Sequence, residues 1–345
     1  VWQGKVPLIE LNLAVQDGSA ERRGRSLLPA PALLPLPPEL AKPNRIFMPR
    51  TPNLGQVMRK IVMKKSVLQS VAVIGVMVSC CLAEHAAAEG IFPDKNLEKV
   101  VRKYVFEKRD NDKPIVEEDV VNISTIKGKG QGIKDLTGLE KCRSLALLDL
   151  EDNEIEKIDA IKELKNIQSL NLSQNKIQDI KPIEGLTKLQ YVHLAGNEIS
   201  DLTPLSKLEN LRSLYLSKNK IKDLKPLSEL KKIWSLYIDE NQIEDLKPLT
   251  GLKWLDSLNL QGNHVSDLSP LKDLTEWKFL FLANNKVTDL GVLIEMGKKD
   301  REGSQRFSFF WQIYLNGNPL SDEAKKTQLP ELKKLAKIVE VEKAE

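Results

Sequence analysis

The sequence predicts an α/β solenoid, and three regularities carry that prediction. Asn153, Asn175, Asn197, Asn219, Asn241, Asn263 and Asn285 recur every 22 residues without a slip, and a fixed period of this size marks one coil repeated along an axis. Around each Asn the apolar residues keep one template. In one repeat it reads Ile167, Leu170, Leu172, Ile177, Ile180, Ile183 and Leu186, with the next repeat starting at Leu189. Pro182, Pro204, Pro226, Pro248 and Pro270 also hold one equivalent site per coil.

Within a coil the first element is a strand. From Ser213 to Leu216 polar and apolar residues alternate, so Leu214 and Leu216 point into the core while Ser213 and Tyr215 point away from it. Asn219 then turns the chain inward, and its amide carries both a donor and an acceptor for backbone groups left unpaired by the turn. One such Asn per coil predicts a hydrogen-bonded ladder inside the solenoid, continued by Asn318 after a gap of 33 residues. Ile221, Leu224, Leu227 and Leu230 follow at spacing three, which fits short 3-10 turns. The repeated proline argues against a full α-helix on that return path.

These motifs resemble the bacterial leucine-rich repeat proteins of the internalin type, the class with a 22-residue repeat, over roughly Gly90 to Val341. The resemblance implies a right-handed leucine-rich repeat with a parallel concave β-sheet and 3-10 segments on the convex side. It also implies a helical N-terminal cap and a C-terminal cap helix. Asp94 can cap a short helix whose Leu97, Val100, Val101, Tyr104 and Val105 share a face, and a second short helix is expected from Glu117 to Val121. The first coil is irregular, with Gln131 at the ladder position. Residues 123–318 are assigned to the repeats, with an insertion at about 297–309 that should bulge from the convex or edge side. Residues 319–345 form the C-terminal cap, with an amphipathic helix from about Asp322 to Lys337 and a last strand near Ile338 to Val341.

Ahead of the cap (residues 89–122), residues 63–88 read as a signal peptide. Lys64 and Lys65 precede an uncharged apolar run, and Ala86, Ala87 and Ala88 supply a small-residue cleavage site. This places the translation start at Met63 or Met58 and makes residues 1–62 a disordered upstream extension or a mis-assigned start. The membrane enters in two other readings of the leader: an uncleaved anchor over Ser66 to Ala83, or lipidation at Cys80. The whole chain has a net charge of +4, but residues 1–88 hold 11 of the 52 basic and only 5 of the 48 acidic side chains. The remainder is net −2, so nucleic acid is not an expected partner. After leader removal Cys142 is the one cysteine left, at a core position, where it acts as a small hydrophobe.

Strand residues that point out of the core would line the concave face. The central column there is Asp149, Asn171, His193, Tyr215, Tyr237, Asn259, Phe281 and Tyr314. The column two residues earlier is Leu147, Ser169, Tyr191, Ser213, Ser235, Ser257, Phe279 and Gln312. Trp234 and Trp311, one residue earlier still, are expected at the rim. Aromatic anchors are what protein interfaces concentrate, so Tyr191, His193, Tyr215, Trp234, Tyr237, Phe279, Phe281 and Tyr314 form the candidate partner-binding surface. The Ser residues beside Tyr215 and Tyr237 would leave shallow pockets between rings. Stacked rings also stabilise a sheet without any ligand, and Phe279 and Phe281 have a second reading as residues covered by the insertion.

Other chemistry is weakly supported. Asp149, Glu151, Asp152 and Glu154 cluster near the first turn, where a hard cation could bind, but such acidic turns are ordinarily only solvated. His193 and His264 lie on different sides of the ladder Asn and cannot share a metal. No phosphate loop, nucleophile elbow or zinc spacing is present in the sequence. The expectation is a non-enzymatic, exported module (periplasmic, surface or secreted) without a cofactor or metal. Its partner is a protein, with a glycan or a purely structural envelope role as alternatives.

Overall fold

A computed structural model describes residues 90–341 of the chain. The expected upstream extension and signal peptide, and the end of the C-terminal cap, lie outside the described residues. Ten three-residue strands form one parallel sheet in chain order. They are β1 (Thr125–Lys127), β2 (Leu147–Asp149), β3 (Ser169–Asn171), β4 (Tyr191–His193), β5 (Ser213–Tyr215), β6 (Ser235–Tyr237), β7 (Ser257–Asn259), β8 (Phe279–Phe281), β9 (Gln312–Tyr314) and β10 (Ile338–Glu340). The register never shifts, so each side chain meets its equivalent on the next strand, as Tyr215 meets Tyr237. The central residue of each strand from β1 to β9 is fully buried.

The ladder explains how so short a strand can close each coil. Asn219 Nδ2 donates to the carbonyls of Leu194 and Leu216 (3.0 Å each) and Ser217 (3.2 Å), and its Oδ1 accepts the N–H of Ile199 at 2.9 Å. The same pattern runs through the other regular Asn residues. Asn318 repeats it while only half-buried. The residue ahead of each Asn is left-handed. Asp152, Gln174, Lys218, Glu240 and Asn284 have φ of 53–59°, and Gly196, Gly262 and Gly317 hold the same place at 67–71°. For a non-glycine this costs on the order of 1–2 kcal/mol, which the paired turn behind it offsets.

The return path is a 3-10 turn in each 22-residue coil, Lys225–Leu227 for example, with proline second in the five proline-bearing coils. An aspartate opens these turns. Asp179, Asp201, Asp223, Asp245 and Asp267 each accept the N–H two residues ahead, at 2.7–2.9 Å. Lys–Glu pairs between neighbouring coils, such as Lys176 to Glu154 (3.1 Å) and Lys220 to Glu198 (2.7 Å), dress the exposed surface, where each adds little stability.

The ends differ from the middle. At the N-terminus α1 (Lys95–Arg102) is capped by Asp94, whose Oδ1 accepts from Asn96 and Leu97. Its Oδ2 takes the N–H groups of Lys134 and Asp135, pinning the helix to the first coil. A short helix α2 (Glu117–Val120) follows. Tyr104 does not join the buried face of α1. It is 37% exposed, and its hydroxyl accepts the N–H of Lys127 at the edge of the sheet. Gln131 is not a ladder residue either: its side chain is exposed, and Asn153 makes the first ladder bonds. The glycines on both sides, Gly130 and Gly132, have φ of 65° and 69°, so the turn there is shaped by glycine.

Near the C-terminus one 3-10 turn is replaced by a helix, α3 (Gly291–Glu302). Val292 stands where five earlier coils have proline, and the longer coil supplies the residues for three turns. Ala160 also replaces that proline, yet its coil keeps the 3-10 turn, so added length is needed as well. Helix α3 packs against α4 (Leu329–Leu335), and Gly297 permits the close approach, since a Cβ there would lie 3.1 Å from Leu335 Cβ. Five residues in π geometry, Ala324–Gln328, lead into α4. The loop after α3 is held by the buried Asp300 carboxylate, which accepts the N–H groups of Arg306, Phe307 and Ser308 and the Ser304 hydroxyl at 2.9–3.1 Å. Burial alone would raise its pKa, but these bonds together hold it below the usual range.

Candidate functional site

Alternation along each strand turns the two expected columns away from the core, and the fixed register places equivalent residues side by side. The rings do not form one continuous strip. Tyr191, His193, Tyr215 and Tyr237 make one group. Tyr215 stacks on Tyr237 with centroids 4.9 Å apart, and it lies 5.1 Å from His193 and 5.4 Å from Tyr191. Phe279, Phe281 and Tyr314 make the second group, with Phe281 stacked on Tyr314 at 4.6 Å. Asn259 separates the two groups in register. All seven rings are half-buried, Phe279 and Phe281 included, so the insertion does not bury those two.

Partial burial sets the electrostatics. It pushes the Tyr237 hydroxyl up to about 12 and raises those of Tyr191 and Tyr215. It also pulls the His193 imidazole below its usual value, although Glu151 and Asp149 act in the opposite direction. At neutral pH the first group therefore presents uncharged rings.

Two expectations fail here. Trp311 is not at the rim but fully buried, 6.4 Å from Trp277 and edge-on to Phe307 at 5.2 Å. The long coil ahead of β9 brings Trp311 into the core and leaves Phe310 outside, 64% exposed. The shallow pocket expected at Ser213 is also closed, because the Trp234 indole N–H donates to Ser213 Oγ at 3.0 Å and Ser213 is buried. Trp234 itself is 41% exposed, with the Arg212 guanidinium 5.7 Å from the centre of its ring.

Several surface residues carry no signal in the two columns. Trp254 is 63% exposed at a site held by Asn166, Lys188, Asn210 and Lys232 in other coils, and that departure from the repeat is the signal that marks it. Asp239, two residues past the end of β6, is half-buried and accepts from Ser217 Oγ (2.5 Å) and Asn259 Nδ2 (2.9 Å). The acidic residues near the first turn pair with lysines, Glu151 with Lys129 and Glu154 with Lys134 and Lys176. Among the described residues no group of three or more His, Cys, Asp or Glu is placed to hold a metal. Cys142 is buried, which pushes its thiol up to about 12. Among the described residues no helix is long and apolar enough to cross a membrane.

Comparison with known proteins gives the same repeat. The family model described as leucine rich repeats (2 copies) matches three times, at residues 165–207, 209–251 and 253–295. Curated protein sequences gave no match. Among solved structures the chain is similar to an internalin C2 from Listeria monocytogenes, at 32% identity and a TM-score of 0.57, covering 60% of this chain and 91% of that one. It is also similar to an internalin (inlF) from the same organism, at 24% identity and a TM-score of 0.40, covering 73% and 90%. The functional domain of InlJ from Listeria monocytogenes gives 21% identity and a TM-score of 0.42, covering 73% and 60%.

Proposed function

The chain belongs to the internalin-like leucine-rich repeat proteins, and from that premise we propose that it is an exported, non-catalytic module that binds a protein partner through the aromatic concave face of its sheet. Solenoids of this kind offer extended surfaces to partners, built from equivalent positions on successive coils. One observation carries the reading: seven half-exposed rings stand on the side of the sheet opposite the core, which the fully buried Leu and Ile residues fill without them. Each such ring can bury a large area on docking while freezing few rotors. The apolar run and small-residue site at residues 63–88 support export to the periplasm, cell surface or medium.

A structural envelope role is favoured by one feature, the close stacking of Tyr215 on Tyr237, because cross-strand ring pairs stabilise sheets by themselves. The variant Tyr215→Ser with Tyr237→Ser separates the two readings. Affinity capture from envelope and culture extracts should lose its partner, while thermal unfolding stays within about 5 °C of wild type. A large fall in melting temperature with unchanged capture would make the stack structural. A retained glycan in place of a protein would replace the partner class.

A further inference from the structure

The ring face also carries charge, in a pattern that narrows the partner. Asp149 and Glu151 act on Tyr191 and His193, while Asp239 and Asp256 act on Tyr237. Two of these four acids already hold a lysine: Glu151 holds Lys129 at 2.6 Å and Asp256 holds Lys278 at 2.7 Å. Among the described residues neither Asp149 nor Asp239 is in an ion pair. Asp149 accepts the N–H of Glu151 at 3.3 Å. Both side-chain donors on Asp239, Ser217 Oγ and Asn259 Nδ2, fall on its Oδ1, which leaves Oδ2 able to take an incoming donor.

Position adds to this. Asn259 opens the gap between the ring groups, and Asp239 is bonded to it. Adjacent strands lie about 4.8 Å apart, so Tyr237 and Phe281, two strands apart, leave roughly 10 Å between their backbones. The Asn259 side chain stands in that interval, and it holds the Asp239 carboxylate, two residues beyond Tyr237 along the chain, beside the first ring group. The cations nearby make no ion pair with Asp239: Arg212 lies over Trp234 at 5.7 Å, and Lys218, which acts on Asp239 only from a distance, faces Glu240 at 3.7 Å. Burial raises the Asp239 pKa, and a half-buried anion outside any ion pair carries a desolvation cost that a partner's cation would offset. Aromatic faces attract the same groups.

We propose that the partner presents a Lys or Arg side chain flanked by apolar residues, with the cation seated on Asp239 against Tyr237 and the apolar neighbours on the two ring groups. Asp149 supplies a second acidic contact at the far end of the first group. This rests on the protein-binding reading above and gives the partner its chemistry: a basic, aromatic- or aliphatic-flanked segment.

The test is selection of a random dodecapeptide display library on the full chain, followed by binding of the selected peptides to Asp239→Asn, Asp149→Asn and the Tyr215→Ser/Tyr237→Ser variant. Asp239→Asn keeps the shape and an oxygen for Ser217, so its melting curve should match wild type. The expected result is a shared Lys or Arg between apolar residues, and affinity lowered by about tenfold or more in Asp239→Asn. Lysine or arginine replaced by glutamine in those peptides should lose the same factor. Selected peptides that lack a basic residue, or that bind Asp239→Asn as tightly as wild type, would overturn the inference. If those peptides still failed on the tyrosine variant, the ring face would remain a protein-binding surface and only its charge preference would be wrong. No selected peptide at all would also sink the basic-segment proposal, and extract capture would then judge the ring face separately.

Discussion

Between Asn175 and Asn285 every coil takes 22 residues and returns through a 3-10 turn, while the step from Asn285 to Asn318 takes 33 and returns through the helix α3. The sheet does not register the change: β8 pairs with β9 as every other neighbour pairs, Leu280 opposite Ile313. What changes is the interior. The longer return path opens space that leucine does not fill, and Trp277, Trp311 and Phe307 fill it instead. The indole N–H groups of Trp277 and Trp311 are buried there without a hydrogen-bond partner among the described residues. Strand pairing thus fixes one side of the coil tightly and tolerates length on the other.

The largest effect should come from the irregular coil. Trp311→Ala empties a fully buried site and should cost about 3–5 kcal/mol, measured by chemical denaturation. Trp234→Ala, at the equivalent strand position in a regular coil, should cost only about 1 kcal/mol, because its indole is 41% exposed and gives up one hydrogen bond, to Ser213. Equal costs would erase the distinction between the two coils. Next comes the ladder. Asn219→Ala strands the N–H of Ile199 and the carbonyls of Leu194 and Leu216, buried groups that together should cost about 2–4 kcal/mol. Asn318→Ala removes the same kind of bonds at a half-exposed end and should cost about 1 kcal/mol. Faster amide exchange confined to the coils touching Asn219 would locate the damage.

The smallest effect separates the ring groups by pH. Burial depresses the His193 pKa, so the unfolded chain takes up a proton first as pH falls. The stability tied to neutral His193 is complete above the ordinary imidazole value of about 6.5 and is lost as pH drops through the lower folded value. Wild type should therefore lose melting temperature between about pH 7 and 5 relative to His193→Gln. Phe279, Phe281 and Tyr314 have no group that titrates in that window. Parallel pH profiles for the two proteins would show that His193 is not held neutral.

The regular coils were legible because seven successive Asn residues and their apolar template report one geometry repeatedly. Alternation then told which residues leave the core, and the structure places Tyr215 and Tyr237 side by side on that account. The period could not speak where it breaks. Trp311 has the spacing of a rim residue, one place ahead of its strand, but its 33-residue coil turns that place inward. Gln131 has the spacing of a ladder residue, but the left-handed glycines on either side of it shape the turn without its side chain. Finer contacts were unreadable for another reason. Whether Trp234 closes over Ser213, or Asp239 meets Asn259, depends on rotamers reaching across coils, and a repeat fixes backbone spacing only. Two finer signals do stand in the sequence: an Asp ahead of each proline-bearing 3-10 turn, and glycine at three of the left-handed positions.

The direction of the ladder bonds has a consequence for how such a molecule changes over generations. Outside its own turn each regular Asn reaches only into the coil before it, to a carbonyl 25 residues back and an N–H 20 residues back. No bond in the ladder depends on how many coils exist. Gaining or losing one 22-residue unit between Asn175 and Asn285 would rejoin identical donors to identical acceptors, and would lengthen or shorten the sheet by a single strand of about 4.8 Å. The reach of the ring face is therefore free to vary by whole steps, while α3 and the loop knotted around Asp300 stay behind as a terminus that any such array could share.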